Sequence, residues 1–152
     1  AVLREALPAL TQKFDVLHVC GRGNLVPELE GRVGYRQFEY LSDGLPDAFA
    51  CADLVLSRAG SNSLSELMAL CKPMLLIPYH SGRGDQLLNA NSLKARGLAH
   101  VMVQSDLSAQ SPPPAIDALW EDRALLVQRL RALPDADGTR LVLDQIEKYR
   151  KK

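Results

Sequence analysis

Residues 57–79 read Ser57-Arg58-Ala59-Gly60-Ser61-Asn62-Ser63-Leu64-Ser65-Glu66-Leu67-Met68-Ala69-Leu70-Cys71-Lys72-Pro73-Met74-Leu75-Leu76-Ile77-Pro78-Tyr79. The stretch follows Asp53-Leu54-Val55-Leu56, so a short apolar strand ends at Ser57. Leu64, Leu67, Met68 and Cys71 then recur at helical spacing, and Pro73 stops the helix. Met74-Leu75-Leu76-Ile77-Pro78 is a second apolar strand. Two strands joined through a helix make the repeating unit of a parallel sheet. The polar cluster Ser61-Asn62-Ser63 stands where that helix begins. It either caps the helix or holds a ligand.

The same alternation extends both ways. Residues 2–14 read as a helix that contains Pro8, and 16–20 as a strand closed by Gly21-Arg22-Gly23-Asn24. Residues 35–41 are a strand, 45–52 a short helix, 85–96 a helix stopped by Gly97, and 99–103 a fifth strand. Ser111-Pro112-Pro113-Pro114 reads as a linker, followed by helices over 115–133 and 139–150. Near-continuous apolar strands alternating with helices predict an α/β domain with a parallel sheet covered on both faces. One domain over 1–152, including the helices of 115–150, suits the length. Ligands of such sheets bind beyond the carboxyl ends of the strands. The loops of interest are therefore 21–24, 41–44, 57–63, 78–85 and 104–106.

Composition narrows the function. The chain has 152 residues, is 47% hydrophobic and 24% charged, and carries no formal net charge. Neutrality and an aromatic content of 5% give no sign of nucleic-acid binding. No apolar run approaches the roughly 20 residues of a membrane-spanning helix. Cys20, Cys51 and Cys71 are odd in number, lack metal-type spacing and lie in apolar stretches, so buried thiols in a reducing compartment are expected. His18, His80 and His100 are scattered. The basic residues at 148–152 read as a helix-dipole complement and solvated tail.

Two loops carry chemistry, and each has a bland reading. Gly60 would let a ligand approach the backbone, and the amides of Ser61, Asn62 and Ser63 would suit an anion. Alternatively, Ser63-x-x-Glu66 is a capping box in which Glu66 folds back on the cap amide. In the second loop Asp85 and Gln86 open a helix, with Asn89 one turn on. They are either cap and dipole partners or a carboxylate and amides placed for sugar hydroxyls. Gly21-Arg22-Gly23-Asn24 lacks a full dinucleotide-binding glycine pattern, so it reads as a turn, although Arg22 could sit near a phosphate.

Three blocks in register resemble a known family: 57–66, Lys72-Pro73 with 74–78, and Gly84-Asp85-Gln86-Leu87-Leu88-Asn89-Ala90. They look like the carboxyl-terminal domain of the MurG-type glycosyltransferases, over nearly the whole chain. Those enzymes transfer N-acetylglucosamine from UDP-N-acetylglucosamine to undecaprenyl-pyrophosphoryl-N-acetylmuramoyl-pentapeptide, making lipid II for the cell wall. The resemblance implies a Rossmann-like doubly wound sheet, the donor-binding half of a GT-B architecture. It implies that Glu66 bonds the ribose hydroxyls of UDP as a binding residue, not a base. Tyr40 and Leu41 would frame the uracil. Arg58, Gly60, Ser61, Asn62 and Ser63 would lie near the donor phosphates and sugar. Asp85, Gln86 and Asn89 would face sugar hydroxyls, with Asp85 replacing a glutamine common in the family.

The resemblance further implies an inverting transfer with no required metal and no cofactor, at the inner face of the cell membrane. The family's domain opens with a strand and a glycine-serine loop that precede the helix matched by residues 2–14. The acceptor domain lies ahead of these. A fragment lacking that first strand is therefore expected, together with self-association or rearrangement at the exposed strand edges. Other readings stay open: a transferase to diacylglycerol, a split-subunit dolichol-type N-acetylglucosamine transferase chain, and a UDP-sugar-binding or epimerase-like protein.

Overall fold

The computed structural model describes residues 2–79, 84–133 and 146–148. In chain order, α1 is Val2–Leu10, β1 Val16–Val19, β2 Tyr35–Phe38, α2 Leu45–Cys51, β3 Val55–Ser57 and α3 Ser61–Ala69. β4 is Met74–Leu76, α4 Asp85–Ala95, β5 His100–Val101 and α5 Pro112–Arg131. The helix expected over 139–150 falls mostly outside the described residues, as does His80.

All strand pairings are parallel. Among the described residues the parallel strands lie in two groups, β1 with β2 and a three-stranded sheet in the order β3-β4-β5. A doubly wound sheet has the order 3-2-1-4-5-6, with its first strand between the second and the fourth. The pair and the triplet here are the two flanks of that order, and the break falls at the position of the central strand.

The triplet is covered on both faces, as its sequence demands. Met74 and Leu76 of β4 point into one cluster with Leu64 and Leu67 of α3 and Ala90 and Leu93 of α4. Leu75 points the other way, onto Leu119 and Leu126 of α5. The flanking strands keep the same alternation: Val55 and Val101 pack on the first cluster, Leu56 and Met102 on the second. This two-faced burial explains why β4 has no polar residue.

The pair differs from expectation. Val16, His18, Tyr35 and Gln37 share the covered face, while Leu17 (48% exposed), Val19 (43%) and Phe38 (37%) lie on the open one. On the covered face His18 Nδ1 meets the Tyr35 hydroxyl at 2.9 Å. Gln37 brackets the backbone of Val26, accepting at 3.1 Å and donating at 2.7 Å. Beyond α1, Phe14 meets Trp120 edge-on at 5.8 Å and Lys13 pairs with Asp117 at 2.7 Å, which ties the chain after α1 to α5.

Helix ends follow backbone chemistry. After α4, Gly97 is left-handed at φ +65; its amide bonds Lys94 O and that of Leu98 bonds Leu93 O, a Schellman stop. α3 ends the same way, with Cys71 at φ +50 in the glycine position. Lys72 Nζ donates to the carbonyls of Ala50 (3.1 Å) and Ala52 (2.8 Å), closing the end of α2.

Two expectations are corrected. Pro112-Pro113-Pro114 is not a linker but the first turn of α5. Amides there have no intrahelical acceptor, so three prolines lose nothing by lacking them. The thiols are not buried either: Cys51 is exposed, and Cys20 and Cys71 are intermediate.

Candidate functional site at the strand ends

α3 begins two residues before the Ser63 cap that the spacing suggested. Its cap residue is Gly60, extended at φ -71, which has no side chain to cap with. The capping box is therefore not formed: Ser63 is already inside the helix, and Glu66 lies in the second turn rather than the first. Ser65 Oγ instead donates back to Ser61 O at 3.0 Å. Leu64 is the first residue of α3 whose amide reaches a carbonyl, that of Gly60 at 3.0 Å. The amides of Ser61, Asn62 and Ser63 precede it and have no partner among the described residues, so they head the helix bare in that sense.

Gly60 is not demanded by the chain. Its φ suits any residue, and a Cβ there would meet nothing within 4 Å. What glycine provides is an unshielded backbone at the positive end of a helix. Glu66 is exposed and four residues after Asn62, so the two share a face. Helical Cβ atoms tilt toward the amino terminus, so the carboxylate leans toward the bare amides. Neither Glu66 nor Asp85 is in an ion pair among the described residues.

The second loop enters α4 through Gly84, left-handed at φ +77. Asp85 is exposed at the helix start. Gln86 Oε1 accepts from the Tyr79 amide at 3.0 Å. Asn89 Nδ2 donates to Ala59 O at 3.1 Å. Arg58 Nη1 donates to Ile77 O at 3.0 Å and to Gln104 Oε1 at 2.8 Å, and its guanidinium lies 5.4 Å from the Tyr79 ring centroid.

So Arg58, Gly60, Ser61, Asn62, Ser63 and Glu66 follow β3, Asp85, Gln86 and Asn89 follow β4, and the Asn89–Ala59 bond joins the two segments. Three of them, Arg58, Gln86 and Asn89, also brace the rim. Tyr40 and Leu41 stand apart, beyond the end of β2; Tyr40 is 79% exposed and Leu41 lies near Gly44. Gly21-Arg22-Gly23-Asn24 is a turn closed by the Asn24 amide on Gly21 O, with both glycines left-handed. Gln104 and Tyr79 were not singled out from the sequence. Only their positions in strand-end loops could have pointed to them. Among the described residues no His, Cys, Asp and Glu group of metal-binding size occurs.

An α/β domain with parallel strands and a helix start at the strand ends is, in class, a Rossmann-like ligand-binding fold. The chain belongs to glycosyltransferase family 28, whose C-terminal domain model matches residues 1–134. A relative from Geobacillus thermodenitrificans is 42% identical over 147 residues, covering 95% of this chain and 41% of the relative. One from Clostridium tetani is 38% identical over 150 residues, covering 97% and 42%. Both carry the name UDP-N-acetylglucosamine--N-acetylmuramyl-(pentapeptide) pyrophosphoryl-undecaprenol N-acetylglucosamine transferase. The chain thus spans about two fifths of the length of these curated relatives. The fold matches the crystal structure of Acinetobacter baumannii MurG with a TM-score of 0.79 at 24% identity, over 96% of this chain and 44% of that one.

Proposed function

We propose that this chain is the donor-binding domain of a glycosyltransferase that moves N-acetylglucosamine from UDP-N-acetylglucosamine to undecaprenyl-pyrophosphoryl-N-acetylmuramoyl-pentapeptide. The observation that carries the reading is the bare start of α3 with Glu66 one turn above it on the same face. The amides of Ser61, Asn62 and Ser63 would receive the diphosphate, where they stabilise the charge of departing UDP without a required metal. Glu66, about 5.4 Å further along the helix, would accept two hydrogen bonds from the ribose diol. Separation matters here, because a carboxylate directly at the phosphates would repel them. Asp85 and the amide of Gln86, at the start of α4, would suit sugar hydroxyls. Tyr40 and Leu41 would close on the uracil.

The names of the relatives support the donor and the lipid-linked acceptor. Acceptor binding and a peripheral position at the inner membrane face would belong to a preceding domain; among the described residues no helix is long and apolar enough to cross a membrane. Self-association of the isolated chain through its open strand edges completes the proposal.

Calorimetric titration of the chain with UDP, UDP-N-acetylglucosamine and UDP-glucose tests it. Both UDP and UDP-N-acetylglucosamine are expected to bind, with UDP-glucose weaker than UDP-N-acetylglucosamine. Glu66→Ala should weaken UDP by about a hundredfold or more, the scale of two lost hydrogen bonds to a charged group. Unchanged UDP affinity in Glu66→Ala would reject the assignment.

A further inference from the structure

The Arg58 side chain joins three strand ends, and its partner after β5, Gln104, lies outside the motif residues. Gln104 opens the 3-10 turn Gln104–Asp106 that follows β5. Its Oε1 accepts from Arg58 Nη1 at 2.8 Å, and the same nitrogen donates to Ile77 O at 3.0 Å. The guanidinium lies on Tyr79, and the Tyr79 amide in turn donates to Gln86 Oε1. Gln104, Arg58, Tyr79 and Gln86 therefore form one chain of contacts running from β5 across β3 and β4 to the start of α4. Asn89 closes the circuit by donating to Ala59 O, next to Gly60.

We propose that Gln104 is a positioning residue for the nucleotide-sugar site: through Arg58 it fixes the 58–60 segment that presents the bare amides of α3. The inference rests on the donor-binding reading above. Its physical basis is the direction of the bonds. Ile77 O and Gln104 Oε1 both accept from one guanidinium nitrogen, so removal of Gln104 leaves Arg58 a single backbone anchor. The segment carrying Ala59 and Gly60 would then be ordered at the expense of binding energy. The contact through which Gln104 acts is its bond from Arg58.

The test is UDP titration of the full chain carrying Gln104→Leu, with Gln104→Glu as the conservative partner and thermal melting alongside. Gln104→Leu is expected to weaken UDP about three- to tenfold, the scale of one lost hydrogen bond, with a cooperative melt retained. Gln104→Glu keeps an acceptor for Arg58 and is expected to restore affinity to the unsubstituted level or better. Equal affinity in Gln104→Leu, or no rescue by Gln104→Glu, overturns the proposal. Should Gln104→Leu fail to fold, Tyr79→Leu takes its place: it removes the ring beneath Arg58 and should weaken UDP similarly, and unchanged affinity there overturns the proposal equally. If the unsubstituted chain binds no UDP, the donor-binding reading falls and this inference with it. If it binds and Gln104→Leu binds as well, only the role of Gln104 falls.

Discussion

Cys71 occupies a position that glycine usually fills, left-handed at the end of α3, and its side chain packs partly against the main core. A β-branched residue cannot hold that conformation without strain of roughly 1–3 kcal/mol. Cys71→Val should therefore lower stability by about 2 kcal/mol in urea unfolding. Cys71→Gly relieves the backbone and loses the thiol contact, so it should stay within about 1 kcal/mol of the unsubstituted chain. At the same scale, the sequence was legible in residue type but not in phase. Gly60, Ser61-Asn62-Ser63 and Glu66 were correctly drawn to one helix start. The capping box failed because Gly60, not Ser63, took the cap, moving Glu66 into the second turn. Spacing cannot distinguish those two phases, since Ser, Asn and Gly all serve as caps. Gln104 was illegible for a different reason: its partner Arg58 lies 46 residues away, and no local pattern marks such a pair.

Elements were legible wherever burial was symmetric. β4 is apolar at every position because both of its faces are covered, and its bounds follow from that. Leu75→Ala should cost about 2–5 kcal/mol in chemical unfolding, since Leu75 is buried against α5. The apolar run of β1 looked the same in sequence, yet one of its faces is open. The prolines of α5 misled because proline marks loops and first turns alike. On the covered face of β1, His18 has its pKa lowered from the ordinary 6.5, first by burial and then by the Arg4 guanidinium. The unfolded chain then binds the proton more readily than the folded one. Stability from neutral His18 is present above about pH 6.5 and is lost as pH falls through the lower folded value. Unfolding free energy should therefore drop between pH 8 and pH 5, and His18→Gln should flatten that dependence; an identical slope in both proteins would contradict it.

At the scale of the whole molecule, the two sheets carry the account. Their orders are the flanks of a doubly wound sheet, and the edges of β1 and β3 lie at the break. Leu17, Val19 and Phe38 add an exposed apolar face beside one of those edges. Light scattering should therefore show association rising with concentration, and a Leu17→Thr, Val19→Thr double variant should reduce it; a monodisperse monomer at all concentrations would count against this. The proposed donor site, by contrast, lies at the ends of the β3-β4-β5 triplet. A groove of about 640 Å³ along β5, lined by Lys94, His100, Asp122 and Arg129 among others, contains none of the strand-end residues Arg58, Glu66 or Gln86. The two locations separate cleanly in a spectrum of backbone amides recorded during UDP addition. The donor-binding account expects the amides of Ser61, Asn62, Ser63 and Glu66 to shift with a common saturation. Shifts confined to the β5–α5 groove, or no shift at saturating UDP, would contradict it.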